Sequence, residues 1–484
     1  MNIKSIRFFL GHLLWIEAAF MLPALLISLH YREMETVCAF LYTMGLMAIF
    51  IPLLLLKTRG ERKVYARDGL VIVSLSWIVL SIFGALPFVF SGCIPRFVDA
   101  LFETISGFTT TGATVLTDVE ALPRGVLYWR SFTHWLGGMG VLVFLLIIVP
   151  NGGRGRGDLL HVLRAESPGP VVGKLAPKLR QSARILYIIY FGLTVLEIIL
   201  LCLGGMPVFD SLVHALGTAG TGGFSIKNAS IGYYDSYYLQ TVIAVFMVLF
   251  GVNFSVYYLL LLRQFRDVRK NEELRVYFAI IAIATLLITI NILPLYGSVK
   301  DALHHSFFQV SSIITTTGYC TTDFNLWPEF SRILLVLLMV VGASAGSTGG
   351  GVKVARIVIL FKALKNSVQK LIHPRAVRVV KLDGAILEDP VIRATSTYMT
   401  AYWLLMAAAV LLVSLDNLSL ETTVSSVFAC FNNIGPGLDL VGAVGNYSVF
   451  SDFSKIVLSL TMLLGRLEIF PMLMLFIPQT WKEK

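Results

Sequence analysis

The chain alternates long apolar runs with short polar connectors from one end to the other. The apolar runs read as helices over roughly 6–31, 36–57, 69–92, 125–150, 184–204, 236–262, 276–297, 329–371 (interrupted), 392–415 and 454–480. A helix needs about 20 consecutive, mostly apolar residues to cross a bilayer, and all of these runs reach that length. The first begins near Ile6 and continues to Leu29, too long for a signal-peptide core and without a small-residue cleavage site. Four further segments, 98–114, 208–224, 301–320 and 419–438, are too short or too polar to cross. Each starts as a short, semi-apolar helix and ends in small polar residues and glycine.

Those ends read Thr109-Thr110-Thr111-Gly112, Ala219-Gly220-Thr221-Gly222, Thr315-Thr316-Thr317-Gly318 and Asn432-Asn433-Ile434-Gly435. They recur at intervals of roughly one hundred residues, an internal repeat of large period. With Gly112 placed on Gly318, Phe102 falls on Phe308 and Ser106 on Ser312. Each unit reads helix, half-helix, glycine loop, helix, and the first two helices stand outside the repeat. The predicted fold is all-α and polytopic: an N-terminal helix pair, then four helix–pore loop–helix units around one central pore. The predicted boundaries are 1–67 for the pair, 68–150 for repeat 1, 151–183 for a cytoplasmic loop and 184–262 for repeat 2. Repeat 3 follows over 263–371, and a linker with repeat 4 over 372–484.

Irregular backbone inside a bilayer is tolerated only where it lines water or is buried in protein. Four such loops converging on one axis would offer rings of carbonyl oxygens in place of a cation's hydration shell. Glycine suits them because it adopts positive φ freely. The threonine hydroxyls would add oxygen ligands or buttress the loops from behind. The half-helices would point their negative C-terminal ends at the centre, which also favours a cation. Oxygen ligands without carboxylates suit a monovalent ion better than calcium or magnesium.

Composition narrows the classes further. Only 14% of the residues are charged, against about 25% in a soluble chain, and the mean hydropathy is +0.78. The net charge is +10, carried mostly at Lys4 and Arg7, Lys57–Arg67, Arg154–Arg184, Arg263–Arg275, Lys353–Arg393, and Lys482 and Lys484. With ten spans, the positive-inside rule puts every one of these clusters, and both termini, on the cytoplasmic side. They suit a protein partner or anionic lipid head groups rather than nucleic acid. The other connectors lean acidic, with Asp118, Glu120, Asp323 and Asp439 among them. That placement would concentrate cations at an outer vestibule or simply keep the loops soluble. Five scattered cysteines (Cys38, Cys93, Cys202, Cys320, Cys430) indicate neither a metal site nor a disulfide framework.

The strings SGFTTTGAT (106–114), HWLGGMG (134–140), GTAGTGGFS (217–225), SSIITTTGY (311–319), GASAGSTGGG (342–351) and NNIGPGL (432–438) resemble the TrkH family. These are the membrane subunits of Trk potassium-uptake systems, within the Trk/Ktr/HKT superfamily. The resemblance covers essentially the whole chain. The extra N-terminal helix pair and the RAESPGP stretch (164–170) favour TrkH over the shorter Ktr subunits. It implies a homodimer in a bacterial inner membrane that conducts K⁺ (with Rb⁺ and, less readily, Na⁺). It also implies a cytoplasmic nucleotide-binding regulatory subunit. No covalent cofactor is expected. The second and fourth loops depart from the TTTG string, so the pore should be only pseudo-symmetric. One glycine per loop suggests modest K⁺ over Na⁺ discrimination.

The 329–371 run holds Gly342, Gly346, Gly349, Gly350 and Gly351. Each glycine costs about 1 kcal/mol in a helix relative to alanine, so the helix should break there. The stretch reads as an intramembrane gate below the filter, or alternatively as a small-residue packing face. Arg466 and Glu468 lie within the last apolar run, where charge is expensive. Arg466 would repel cations or hold the glycine-rich stretch closed, and the resemblance implies a pore arginine here. The other reading is a structural ion pair, with Glu468 or between helices. Lys353 is either a pore cation or the start of the cytoplasmic cluster. Glu197 and His134 read as packing or helix–helix contacts. His214, His304 and His305 fall in half-helices, where they could sense protons. Two rival functions fit less well: a polytopic enzyme, for which no catalytic cluster is visible, and a K⁺ symporter coupled to H⁺ or Na⁺, for which no carboxylate relay is visible.

Overall fold

The computed structural model describes residues 2–56, 58, 65–140, 179–374 and 379–481. The RAESPGP stretch, residues 141–150 of the fourth apolar run, most of the 57–67 cluster, and Lys482 and Lys484 lie outside the described residues. Helices α1 (Ile3–His30) and α2 (Met34–Leu55) form an antiparallel pair that leans on α3 (Ala66–Phe90) and α5 (Arg124–Gly138). The remaining helices are α4 (Phe97–Phe108), α6 (Leu179–Leu203), α7 (Val208–Gly220), α8 (Tyr237–Phe250), α9 (Phe254–Leu261) and α10 (Phe265–Lys270). They continue with α11 (Glu272–Tyr296), α12 (Val299–Ile314), α13 (Glu329–Val341), α14 (Val354–Ile372) and α15 (Asp389–Val413). Next come α16 (Leu420–Phe431), α17 (Asp452–Arg466) and α18 (Phe470–Phe476), and a single helical turn, Pro478–Trp481, follows. Between α14 and α15 sits a minimal hairpin, Lys381–Leu382 against Ala385–Ile386. It turns on Asp383-Gly384, both at positive φ, as a two-residue hairpin loop requires.

Among the described residues, α1, α2, α3, α6, α11 and α15 are each long and apolar enough to cross a membrane. The α8–α9 pair makes a seventh candidate, bent by 89°. Here the structure corrects the sequence reading. The sequence predicts continuous helices over 236–262 and 454–480. Instead the outer helix of each repeat stops after 15, 14, 13 and 15 residues, at Gly138, Phe250, Val341 and Arg466. Only the third of these interruptions is expected from glycine content alone.

The four units close into a ring. The outer helix of each packs on the half-helix of the next: α5 on α7, α8 on α12, α13 on α16, and α17 back on α4. Proline starts helped to set these helices. Pro123, Pro207 and Pro328 precede α5, α7 and α13, where the missing N–H is not needed. Serine hydroxyls at Ser298, Ser419 and Ser451 cap α12, α16 and α17. The largest apolar core joins the N-terminal pair to repeats 1 and 4, and a second core fills repeat 3.

Candidate ion pathway

All four half-helices end in the same backbone turn. The N–H of Thr111, Gly222, Thr317 and Ile434 donates to the carbonyl five residues earlier, at 2.8, 2.9, 2.8 and 2.9 Å. The residue just before each takes left-handed φ: Thr110 56°, Thr221 53°, Thr316 60° and Asn433 57°. The residue just after is glycine at positive φ: Gly112 82°, Gly223 77°, Gly318 84° and Gly435 92°. This is the helix ending in which a left-handed residue lets the chain turn back on the last carbonyls. A β-branched threonine there is unusual and strained, and such strain gathers at functional sites.

These markers shift the second loop by one residue. Its equivalent of Thr109–Gly112 is Gly220–Gly223, not 219–222. Ala219 belongs to the last turn of α7, buried against Tyr190, Phe246 and Phe250. Gly222 takes the position of Thr111, and Gly223 that of the turning glycine.

The glycines then show how the loops meet. A Cβ on Gly112 would stand 2.0 Å from the carbonyl oxygen of Gly222. On Gly223 it would be 1.9 Å from Thr317 O, on Gly318 2.1 Å from Ile434 O, and on Gly435 2.7 Å from Thr111 O. Each glycine faces the carbonyl before the glycine of the next loop, and the fourth closes on the first. The loops are thus joined edge to edge in a four-membered ring.

What stands behind the loops differs. In loops 1 and 3 the outer threonines pair with each other: Thr109 Oγ1 and Thr111 Oγ1 lie 2.8 Å apart, as do Thr315 Oγ1 and Thr317 Oγ1. Loop 4 is tied by Tyr402 to Asn432 Oδ1 (3.0 Å) and by Tyr447 to Gly435 O (2.7 Å). Its Asn433 amide donates to Thr111 Oγ1 and Met462 O, both at 2.9 Å. Loop 2 leans on His134, which the sequence reads as a packing or helix–helix contact. Its ring touches Gly107 O (2.7 Å) and Phe224 N (3.2 Å). Arg130 donates to Ser225 O at 3.0 Å and pairs with buried Glu103 at 2.6 Å.

Beneath the ring, the ends of the four outer helices meet. The glycine-rich segment between α13 and α14 presses on the filter loops: Gly350 N donates to Thr316 Oγ1 (2.6 Å) and Gly351 N to Asn432 O (3.1 Å). It crosses to the α8–α9 break through Ser344 N to Gly251 O (3.1 Å) and Phe254 N to Gly346 O (3.0 Å). Gly342, Gly346 and Gly351 all have positive φ there. Gly349 packs on Ala343, and a Cβ on it would sit 2.8 Å from Thr315 O. Arg466 bridges three segments, donating to Thr348 O (2.8 Å), Gly138 O (2.9 Å) and Gly137 O. Glu468 pairs with Arg356 of α14, an ion pair between helices. Lys353 turns back and donates to Gly349 O, within the same segment. Glu273 of α11 accepts from Ala345 N at 2.6 Å.

Glu17, Glu103, Glu197 and Glu273 are buried, more carboxylates than the sequence reading allowed for. They sit on four different helices, with Glu103 neutralised by Arg130. His304 and His305 bond Gln240 Oε1 and Thr321 Oγ1, and His214 bonds Ser225 Oγ, so all three are tied into protein. In the connectors beyond the long helices, Asn228 and the Glu120 N–H hold Asp118 below the usual carboxylate range. The Ser419 and Thr422 hydroxyls do the same for Asp439.

The model of a family described as TrkH, cation transport protein, matches residues 38–483. The chain belongs to the TrkH family of cation transport proteins. The Trk system potassium uptake protein TrkH of Escherichia coli (strain K12) is 38% identical over 434 residues, 88% of each chain. That of Halomonas elongata is 36% identical over 489 residues, 100% of each chain. The crystal structure of the potassium transporter TrkH from Vibrio parahaemolyticus superposes with a TM-score of 0.89 at 34% identity, covering both chains in full. Like the other TrkH family members, this is a multi-pass membrane protein.

Proposed function

We propose that the chain takes up potassium ions through the ring of four loops, driven by membrane potential, and that the glycine-rich segment gates the path. The observation that carries this reading is the closed cycle of glycine-to-carbonyl contacts. Four carbonyl-bearing turns, each fixed against the next, make an aperture that can replace an ion's hydration shell. No carboxylate lies among the ring residues, which suits K⁺ and Rb⁺ over divalent ions. A potential of 100 mV supplies about 2.3 kcal/mol per charge, so inward movement needs no chemical step. The relatives' names support potassium as the ion.

Gating rests on the position of residues 342–353 directly under loops 3 and 4. There, Arg466 clamps Thr348 to the first repeat's break. Arg466 and Lys353 together put positive charge on the path while the segment is in place. A cytoplasmic nucleotide-binding regulatory subunit, docked on the basic connectors, would release it. A homodimer in a bacterial inner membrane, surrounded by lipid and with both termini cytoplasmic, completes the proposal.

The test is ⁸⁶Rb⁺ uptake into proteoliposomes under an imposed voltage. Gly112→Ser, Gly223→Ser and Gly318→Ser should abolish uptake or make it Na⁺-tolerant, because each new Cβ lands on a neighbouring carbonyl. Unchanged selectivity in all three would sink the filter reading. Arg466→Gln should raise uptake in the absence of any regulatory subunit; unchanged basal flux would count against the gate.

A further inference from the structure

Three of the four residues in the second loop's turn are glycine: Gly220, Gly222 and Gly223. Glycine has the largest conformational freedom to lose, and this loop also lacks the hydroxyl pair that backs loops 1 and 3. Something outside the loop must hold it. The imidazole of His134, on the outer helix of repeat 1, lies flat against it. A Cβ on Gly222 would meet ring atoms Cγ, Nδ1 and Cδ2 at 2.2, 2.3 and 2.4 Å. The ring thus fills the volume that the Thr111 and Thr317 side chains fill in their own loops.

Its hydrogen bonds fix its form. Phe224 N–H is a donor only, so Nε2 accepts from it at 3.2 Å. The proton is therefore on Nδ1, which donates to Gly107 O at 2.7 Å. One neutral imidazole joins the last turn of the first half-helix to the strand leaving the second filter glycine. Its other neighbours hold the same strand. Arg130 lies 3.4 Å over the Phe224 ring and bonds Ser225 O. The Tyr319 hydroxyl of repeat 3 donates to Phe224 O at 3.3 Å.

We propose that His134 is the positioning residue of the second filter loop, replacing from a neighbouring repeat the threonine backing of loops 1 and 3 and so setting this loop's share of K⁺ over Na⁺ discrimination. The proposal rests on the filter reading above. It makes His134 and Gly222 one functional pair: a side chain at one position requires its absence at the other.

The experiment compares ⁸⁶Rb⁺ and ²²Na⁺ uptake by the reconstituted full chain for wild type, His134→Ala, His134→Phe, Gly222→Thr, His134→Ala/Gly222→Thr and Gly112→Ser. His134→Phe keeps the ring's bulk and removes both bonds; it should lower the Rb⁺/Na⁺ ratio about tenfold while Rb⁺ still enters. It also carries the test if His134→Ala yields no folded protein. Gly222→Thr alone should collapse the ratio through its clash with the ring. The double variant should recover selectivity relative to either single change, since the new threonine occupies the vacated volume. A wild-type ratio in every folded His134 variant overturns the proposal, as does uniform loss of flux at constant ratio. So does a double variant whose losses merely add. If Gly112→Ser also leaves the ratio intact, the filter reading itself has failed; if it alone destroys the ratio, only the role of His134 has.

Discussion

Loops 1 and 3 carry their own support, whereas loops 2 and 4 borrow theirs. In the first pair, adjacent threonines bond behind the turn. In the second pair, His134, Tyr402 and Tyr447 reach in from helices and connectors elsewhere. All four nevertheless take positive φ of similar size at the same two positions. One backbone conformation can thus be enforced locally by sequence or remotely by packing. The second route leaves no repeated string to read.

The largest test of that contrast lies in the glycines. Gly223→Ala places a methyl 1.9 Å from Thr317 O, whereas Gly435→Ala places one 2.7 Å from Thr111 O. Both also force a side chain into positive φ. Rb⁺ selectivity should vanish in the first and be reduced in the second. Equal damage would mean that the loops are interchangeable after all.

Next come the left-handed threonines. Thr316 Oγ1 accepts from Gly350 N, while Thr110 Oγ1 is buried without a partner among the described residues. Thr316→Val should leave a buried N–H unsatisfied, at about 1–3 kcal/mol, and raise basal uptake roughly tenfold. Thr110→Val should change it little. Basal ⁸⁶Rb⁺ flux measures both. A smaller effect is expected of Tyr402→Phe, which removes one hydrogen bond to loop 4, worth about 1 kcal/mol. Thermal unfolding in detergent should show a modest loss with selectivity mostly kept.

The smallest effect is acid. Asp118 and Asp439 have folded-state pKa values below their unfolded ones. Their contribution is complete above the ordinary aspartate value, about 3.9. It is lost only as pH falls through the depressed values. Thermal stability should therefore be flat in these two groups from pH 7 to about pH 5. Asp439→Asn should differ from wild type in that range and converge with it only in strong acid.

Much of this architecture is legible from residues. The long apolar runs, the four glycine endings and the glycine-rich interruption at 342–351 each have a local physical cause. The loop 2 register does not, because a string with adjacent glycines offers two choices. The signal that resolves it is a polar residue two before the glycine: Thr110 and Gly112, Thr221 and Gly223, Thr316 and Gly318, Asn433 and Gly435. The helix ends at Gly138, Phe250 and Arg466 are harder to see. Their freed backbone groups are satisfied by one another across the molecule, through Arg466, Gly251 and Gly346, so no single segment advertises them. The hold of His134 on loop 2 is hidden for the same reason. A histidine in an apolar run says nothing of a glycine face some ninety positions ahead.

The ring of loops also bears on how the protein is made. Its closing contacts join residues 322 positions apart, from Asn433 to Thr111. During synthesis the first three loops enter the membrane with one side of the aperture open, and loop 1 waits for a neighbour that is among the last to arrive. Contacts of such separation form late and slowly, and incomplete assemblies expose surface that invites misassociation. A chain cut short before the fourth loop would therefore not be a leakier pore with three sides. It would be an unfinished one, and the quality control of the membrane would meet it first.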